Sequence, residues 1–146
     1  MEGPSLVLLT EELKPFYKKK VRKAEGLLLA NFPFLKSSTF KSAKSWGKHL
    51  ILLFDKGQLR IHFLMFGSYR VDQPRDRDPK LSLKFEGGTV YFYSCAIKEI
   101  SKADIADYDF TIDLMSDQWD EKKAVKSIRS KPETQLGDIL MDQAIF

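Results

Sequence analysis

The sequence predicts a mainly β fold with flanking helices: an antiparallel β-sandwich or flattened barrel of about eight strands, with an N-terminal helix and a C-terminal helical tail. Two patterns lead there. Between residues 21 and 100, short apolar runs alternate with period two, as in Leu59, Ile61, Phe63 and Met65, and turn-forming clusters separate them. Helical spacing of apolar residues appears at the two ends of the chain instead.

Taken in order, Ser5 to Tyr17 reads as an amphipathic helix, because Leu6, Leu9, Leu13 and Phe16 recur at helical spacing and Pro15 weakens the last turn. Strands are expected over Val21 to Leu29, Phe40 to Ser45, His49 to Phe54, Gln58 to Leu64, Ser68 to Asp72, Leu81 to Phe85 and Thr89 to Ser94, with a further run at Ile97 to Ile100. Asp55-Lys56-Gly57 and Glu86-Gly87-Gly88 suit tight antiparallel hairpins, and Gln73 to Lys80, with two prolines and alternating charges, marks an exposed loop. After Asp104 the pattern changes. Asp120 to Ser130 reads as a helix with an aspartate cap, Pro132 interrupts, and Thr134 to Phe146 reads as another helix with Leu136, Ile139, Leu140 and Met141 near one face. This divides the chain into a β domain over 1–117 and a helical tail over 118–146, with Asp117 to Asp120 as the hinge.

The 146 residues suffice for one domain with a core, and 43% hydrophobic with 30% charged residues is ordinary for a globular protein. A net charge of +4 favours a polyanionic partner. Lys18, Lys19, Lys20, Arg22 and Lys23 form one basic cluster; Lys36, Lys41, Lys44 and Lys48 form another that leads into a Gly-Lys turn. Either can contact phosphate, although a solvated face is the usual role of such runs. With Cys95 as the only cysteine, neither an intramolecular disulfide nor a cysteine-rich zinc site can be built. Leu6 to Leu9 is too short for a signal peptide and no run reaches membrane-spanning length, so a cytoplasmic or nucleoid-associated protein without membrane contact is expected.

Four segments concentrate residues able to do chemistry. Met1-Glu2-Gly3-Pro4 places a carboxylate beside an α-amine, the pair needed to break a glycosidic bond through an imine. Ser45-Trp46-Gly47-Lys48-His49 precedes the apolar run Leu50 to Phe54 and projects a lysine from a turn. Ile61-His62-Phe63-Leu64-Met65-Phe66-Gly67 sets three large apolar residues before a glycine; Met65 shares its alternation with Ile61 and Phe63, so an exposed Met65 requires strand pairing to end before it. Gly137 to Ala144 is amphipathic, and Ile145-Phe146 ends the sequence on two large apolar residues.

In this order and spacing, these segments resemble the formamidopyrimidine-DNA glycosylase / endonuclease VIII family of base-excision repair enzymes, over its N-terminal domain and the start of its helix/two-turn/helix DNA-binding element. The resemblance implies a DNA glycosylase and abasic-site lyase acting on oxidised bases in damaged double-stranded DNA, with a terminal amine as nucleophile. It implies proton transfer by Glu2, a phosphate and sugar contact by Lys48 with Lys44 as a further phosphate ligand, and a wedge made of Leu64, Met65 and Phe66 that fills the space of an everted base. His62 is expected to be structural. The contiguous triplet, and the lack of an Arg-x-Phe in Ser94 to Lys98, match the endonuclease VIII branch.

Two departures stand out. The family opens Met-Pro-Glu and uses the exposed proline; here Met1 directly precedes Glu2, and an acidic second residue should leave Met1 in place. The Met1 amine then stands in as nucleophile, or the nucleophile is disabled, or the sequence lacks a proline that belongs there; a chain without a nucleophile would be a non-catalytic DNA-binding or pairing module of the same fold. The four-cysteine zinc finger of many members is also absent, so neither metal nor cofactor is expected here, and activity is expected to be impaired. The ending suggests a truncated chain or one completed by a second polypeptide that supplies the rest of the DNA clamp.

Overall fold

The computed structural model describes residues 1–142. It is mainly β, as expected: strands β1 (Lys23–Glu25), β2 (Phe40–Trp46), β3 (His49–Phe54), β4 (Gln58–Val71), β5 (Leu81–Phe85) and β6 (Gly88–Ile100) form one antiparallel sheet in the order β1-β5-β6-β4-β3-β2. Helix α1 (Gly3–Leu13) precedes them, and α2 (Lys102–Ala106), α3 (Glu121–Arg129) and α4 (Leu136–Leu140) follow.

The eight expected strand segments become six strands because two pairs run on. Gln58–Leu64 and Ser68–Asp72 join as β4, and Thr89–Ser94 joins Ile97–Ile100 as β6. Both joints lie at one place. Phe63 pairs with Cys95 and Ser68 with Tyr93, so four residues on β4 oppose the single Ser94, whose φ of 48° bends β6.

At this bend the sheet doubles over. In a flat sheet β2 and β5, four places apart in the order, would be about 19 Å distant, yet Phe40 of β2 and Phe85 of β5 have ring centroids 5.6 Å apart. The strand expected over Val21–Leu29 explains the closure, because only Lys23–Glu25 is strand. Its approach bonds first to the start of β2 (Phe40 N–H to Lys19 O, 2.9 Å; Val21 N–H to Ser38 O, 2.8 Å) and then to β5 (Arg22 N–H to Lys84 O, 2.8 Å). One segment thus stitches the two edges into a flattened barrel, and the chain turns away at Gly26, whose φ is 127°.

Helix α1 lies against β2 and β3 and puts Leu6, Leu9 and Leu13 into the core, where they are at most 2% exposed. It starts at Gly3, earlier than expected, since Pro4 in the first turn needs no N–H partner. It also ends earlier. Pro15 has no N–H to offer the Glu11 carbonyl, Lys14 N–H takes that acceptor, and the chain tightens into a 3-10 turn over Lys14–Phe16.

The chain after β6 returns over the outer face of β2 and β3, which is why Ile51, pointing away from the Leu50 and Leu52 side, is also fully buried. Helix α2 was not expected, although Ser101 and Asp104 form a reciprocal capping box at its start. Helix α3 has its expected cap, Asp120 accepting Lys123 N–H at 3.2 Å. The helix expected over Thr134–Phe146 is present as Leu136–Leu140; Ile145 and Phe146 lie outside the described residues. No helix among the described residues is long and apolar enough to cross a membrane.

Candidate functional site

The site is built from the hairpin tip between β2 and β3. Trp46 and His49 are the last paired residues, leaving Gly47-Lys48 as a two-residue loop. Gly47 has φ 51° and Lys48 does not have a positive φ, the pattern of a turn whose first central position requires glycine. Lys48 therefore stands at the tip, half exposed. Its ammonium pairs with the Glu2 carboxylate at 3.0 Å, so residues 46 positions apart in sequence meet. Glu2 reaches this point because it is the residue just before helix α1, with extended backbone.

The tip is held from behind by the returning chain. Asp113, only 7% exposed, accepts the Gly47 N–H at 3.2 Å through one carboxylate oxygen and the Met115 N–H at 2.9 Å through the other. Trp46 donates its indole N–H to Asp109 O at 3.0 Å and packs edge-on against Tyr108, whose hydroxyl lies 3.3 Å from His49 Nδ1. Asp109 in turn binds the Lys123 ammonium, which ties helix α3 to this loop and holds the Asp109 carboxyl down at about 2. Burial, then the neighbouring Arg60 and His62, hold His49 below the usual imidazole range.

Between tip and tail lies a cleft of roughly 530 Å³. Its lining combines polar groups of Glu2, Lys48, His49, His62 and Asp113 with the apolar Leu114, Met115, Leu140 and Met141. Met1 faces elsewhere. Its half-buried side chain packs on the core and borders a second groove with Glu12, Gly67, Ser68 and Tyr69. Residue 1 is thus anchored between the Lys48 tip and the bend of the sheet.

At that bend Leu64, Met65 and Phe66 leave the ladder, 50%, 89% and 80% exposed, and pairing with β6 resumes at Ser68. The neck is closed by Gly67: a Cβ there would lie 2.7 Å from Phe63 Cβ and 2.9 Å from the Leu64 backbone, so only glycine fits. A strand that simply ran on would have buried Met65 with Ile61 and Phe63; the break in pairing after Phe63 is what turns it outward.

Other expected residues lie apart. Lys44 sits over the Phe110 ring, 5.2 Å from its centroid, and does not line the cleft. Lys18 to Lys20 bond to Thr39 and Phe40 at the start of β2, about 20 Å from the tip at ~3.3 Å per strand residue. Asp113 carried no signal of periodicity; an aspartate between Ile112 and Leu114 was the only hint that a carboxylate was to be buried. Among the described residues, no group of three His, Cys, Asp or Glu side chains converges as a metal site would.

Solved structures share this architecture. The crystal structure of a viral DNA glycosylase superposes with a TM-score of 0.84 at 17% identity, covering 100% of this chain and 65% of that one. Lactococcus lactis Fpg in complex with DNA containing an abasic site gives a TM-score of 0.64 at 23% identity over 74% of this chain and 47% of that one. The wild-type Lactococcus lactis Fpg with oxidised-pyrimidine DNA gives 0.64 at 22% identity, with the same coverage. The chain therefore spans less than two thirds of the length of these proteins. No curated protein sequence matches it. Residues 11–96, more than half of the sequence, match the family model described as Formamidopyrimidine-DNA glycosylase N-terminal domain, and with the fold they place the assignment beyond a motif resemblance: the chain belongs to the formamidopyrimidine-DNA glycosylase family.

Proposed function

We propose that this protein acts in base-excision repair as a DNA glycosylase and abasic-site lyase of the endonuclease VIII type, with damaged duplex DNA as its substrate. The observation that carries the reading is the 3.0 Å pair between the Glu2 carboxylate and the Lys48 ammonium, beside residue 1 and at the same end of the barrel as the exposed Leu64-Met65-Phe66. The relatives described as bound to abasic-site and oxidised-pyrimidine DNA support the substrate class. The laddered run Ala96 to Lys98, which leaves no room for a second loop of void-filling residues, supports the branch.

In this reading the chemistry is as follows. The Met1 amine adds to C1′ of the open-chain sugar at an abasic site, and loss of water leaves an imine. Removal of a C2′ proton then expels the 3′ phosphate and cuts the strand. Glu2 carries the protons, and Lys48 holds a phosphate and places positive charge beside the sugar. Leu64, Met65 and Phe66 enter the base stack and offset part of its unstacking, a cost of a few kcal/mol per step. Lys44 serves as an outlying phosphate contact. The relatives are longer, and a further segment or a second polypeptide completes the clamp on DNA.

A second reading is favoured by residue 1 being a methionine with a half-buried side chain: a module that binds DNA without cutting it. Incubation with a duplex containing one abasic site separates the two. The proposal expects strand cleavage leaving a 3′ unsaturated aldehyde; salt-sensitive binding with an intact strand contradicts it in favour of the module.

A further inference from the structure

The loop between β4 and β5 brings two arginines to the same end of the barrel as the exposed triplet. Arg75 and Arg77 lie with their guanidinium carbons 5.9 Å and 5.3 Å from the centroid of the Tyr93 ring, which is 1% exposed. The Tyr93 hydroxyl also accepts the Arg75 backbone N–H at 2.9 Å, so one buried residue fixes the loop and seats both cations. Tyr93 pairs with Ser68, the residue at which β4 rejoins the ladder after Leu64 to Gly67. Neighbouring strands are about 4.8 Å apart, so the residue that seats both arginines lies one strand spacing from the neck.

The shared ring is what sets this pair apart from the other cations. Among the described residues Lys14, Arg22, Lys23, Lys48, Lys123 and Lys131 are ion-paired with a carboxylate, and most of the remaining lysines and arginines are not. Arg75 and Arg77 are exposed and, among the described residues, form no such pair, not even with the adjacent Asp76 and Asp78. A guanidinium stacked on a ring uses its face, leaving the N–H donors at its edge free, and those donors match two phosphate oxygens.

We infer that Arg75 and Arg77, propped on Tyr93, bind backbone phosphates of the duplex next to the point where Leu64 to Phe66 enter it. The inference rests on the proposed DNA-repair reading and adds a further phosphate contact, on the far side of the triplet from Lys48. It holds the kinked duplex against the wedge from both sides.

The test measures binding of a fluorescent duplex carrying a tetrahydrofuran abasic analogue over a series of salt concentrations. The parent chain is compared with Arg75→Ala/Arg77→Ala and with Lys18→Ala/Lys20→Ala, which removes the same charge at the remote end. Loss of two phosphate contacts should make the log–log salt slope shallower by roughly 1 to 2 in the arginine variant and leave it unaltered in the lysine variant. An arginine variant with the parent's slope, or an equal change in both variants, overturns the inference while the proposed function stands. A parent chain that does not bind the duplex overturns the proposed function and this inference with it. Tyr93→Phe, which keeps the ring but loses the acceptor for Arg75 N–H, should weaken binding less than the double variant; a loss as large contradicts the role given to the guanidinium groups.

Discussion

Asp113 accepts the backbone N–H of Gly47 at 3.2 Å, across 66 residues of sequence, and so couples the chain after the barrel to the hairpin tip that carries Lys48. Both of its carboxylate oxygens are occupied by backbone donors. Asp113→Ala leaves two donors without a partner in a buried place and should lower stability by about 1–3 kcal/mol per group left unsatisfied. Chemical denaturation measures this. Because the tip loses its anchor, cleavage of abasic DNA should fall by more than the loss of folded protein accounts for.

Lys48 and Glu2 give the opposite pattern. Their pair is half or more exposed, and such pairs contribute about 0–1 kcal/mol. Lys48→Met should therefore leave the melting temperature nearly unchanged while reducing abasic-site cleavage at least tenfold. Similar losses in stability and cleavage would argue that the pair is structural.

The excursion supplies a contrast between neighbours. Met65 is 89% exposed, so Met65→Ala should not alter stability, yet it should weaken binding to duplex DNA with an abasic site more than binding to the single strand, which needs no wedge. Gly67→Ala should do the reverse of the first half: its methyl group collides with Phe63 and Leu64, with an expected cost of about 1–3 kcal/mol. Thermal melting of the two variants side by side checks both.

His49 sets a pH dependence. Its folded-state affinity for protons is lowered, mainly by burial, so the folded state binds fewer protons than the unfolded one and stability rises with pH through its titration. The contribution is present above the ordinary imidazole value of about 6.5 and is lost as pH falls through the lower folded value. Melting temperatures between pH 7 and pH 5 should decline for the parent chain and decline less for His49→Gln.

What was legible in the sequence follows from what local pattern can carry. The hairpins at Gly47-Lys48 and Glu86-Gly87 were readable because turn glycines and alternation report on the same few residues. Leu64 to Gly67 and Ser94 interrupt the alternation, and an interruption looks like a strand end even when pairing resumes with the same partner, so six strands read as eight. Ser101 and Asp104 did encode a capped turn, but a five-residue helix has too little apolar periodicity to show. The meeting of Glu2 with Lys48 came from family motifs, since nothing in spacing relates the two. Asp113 and the Arg75-Arg77-Tyr93 group were invisible for a physical reason: each acts through tertiary contacts of residues in irregular segments, with a hairpin tip in one case and a strand in the other.

Borohydride trapping reads the proposed imine at residue 1 itself. The parent chain is mixed with an abasic-site duplex, reduced, digested and mapped by mass spectrometry. A covalent adduct is expected on the α-amine of residue 1, weakened by Lys48→Met and by Glu2→Gln. An adduct on a lysine side chain instead, or no adduct from protein that binds the same duplex, would contradict it.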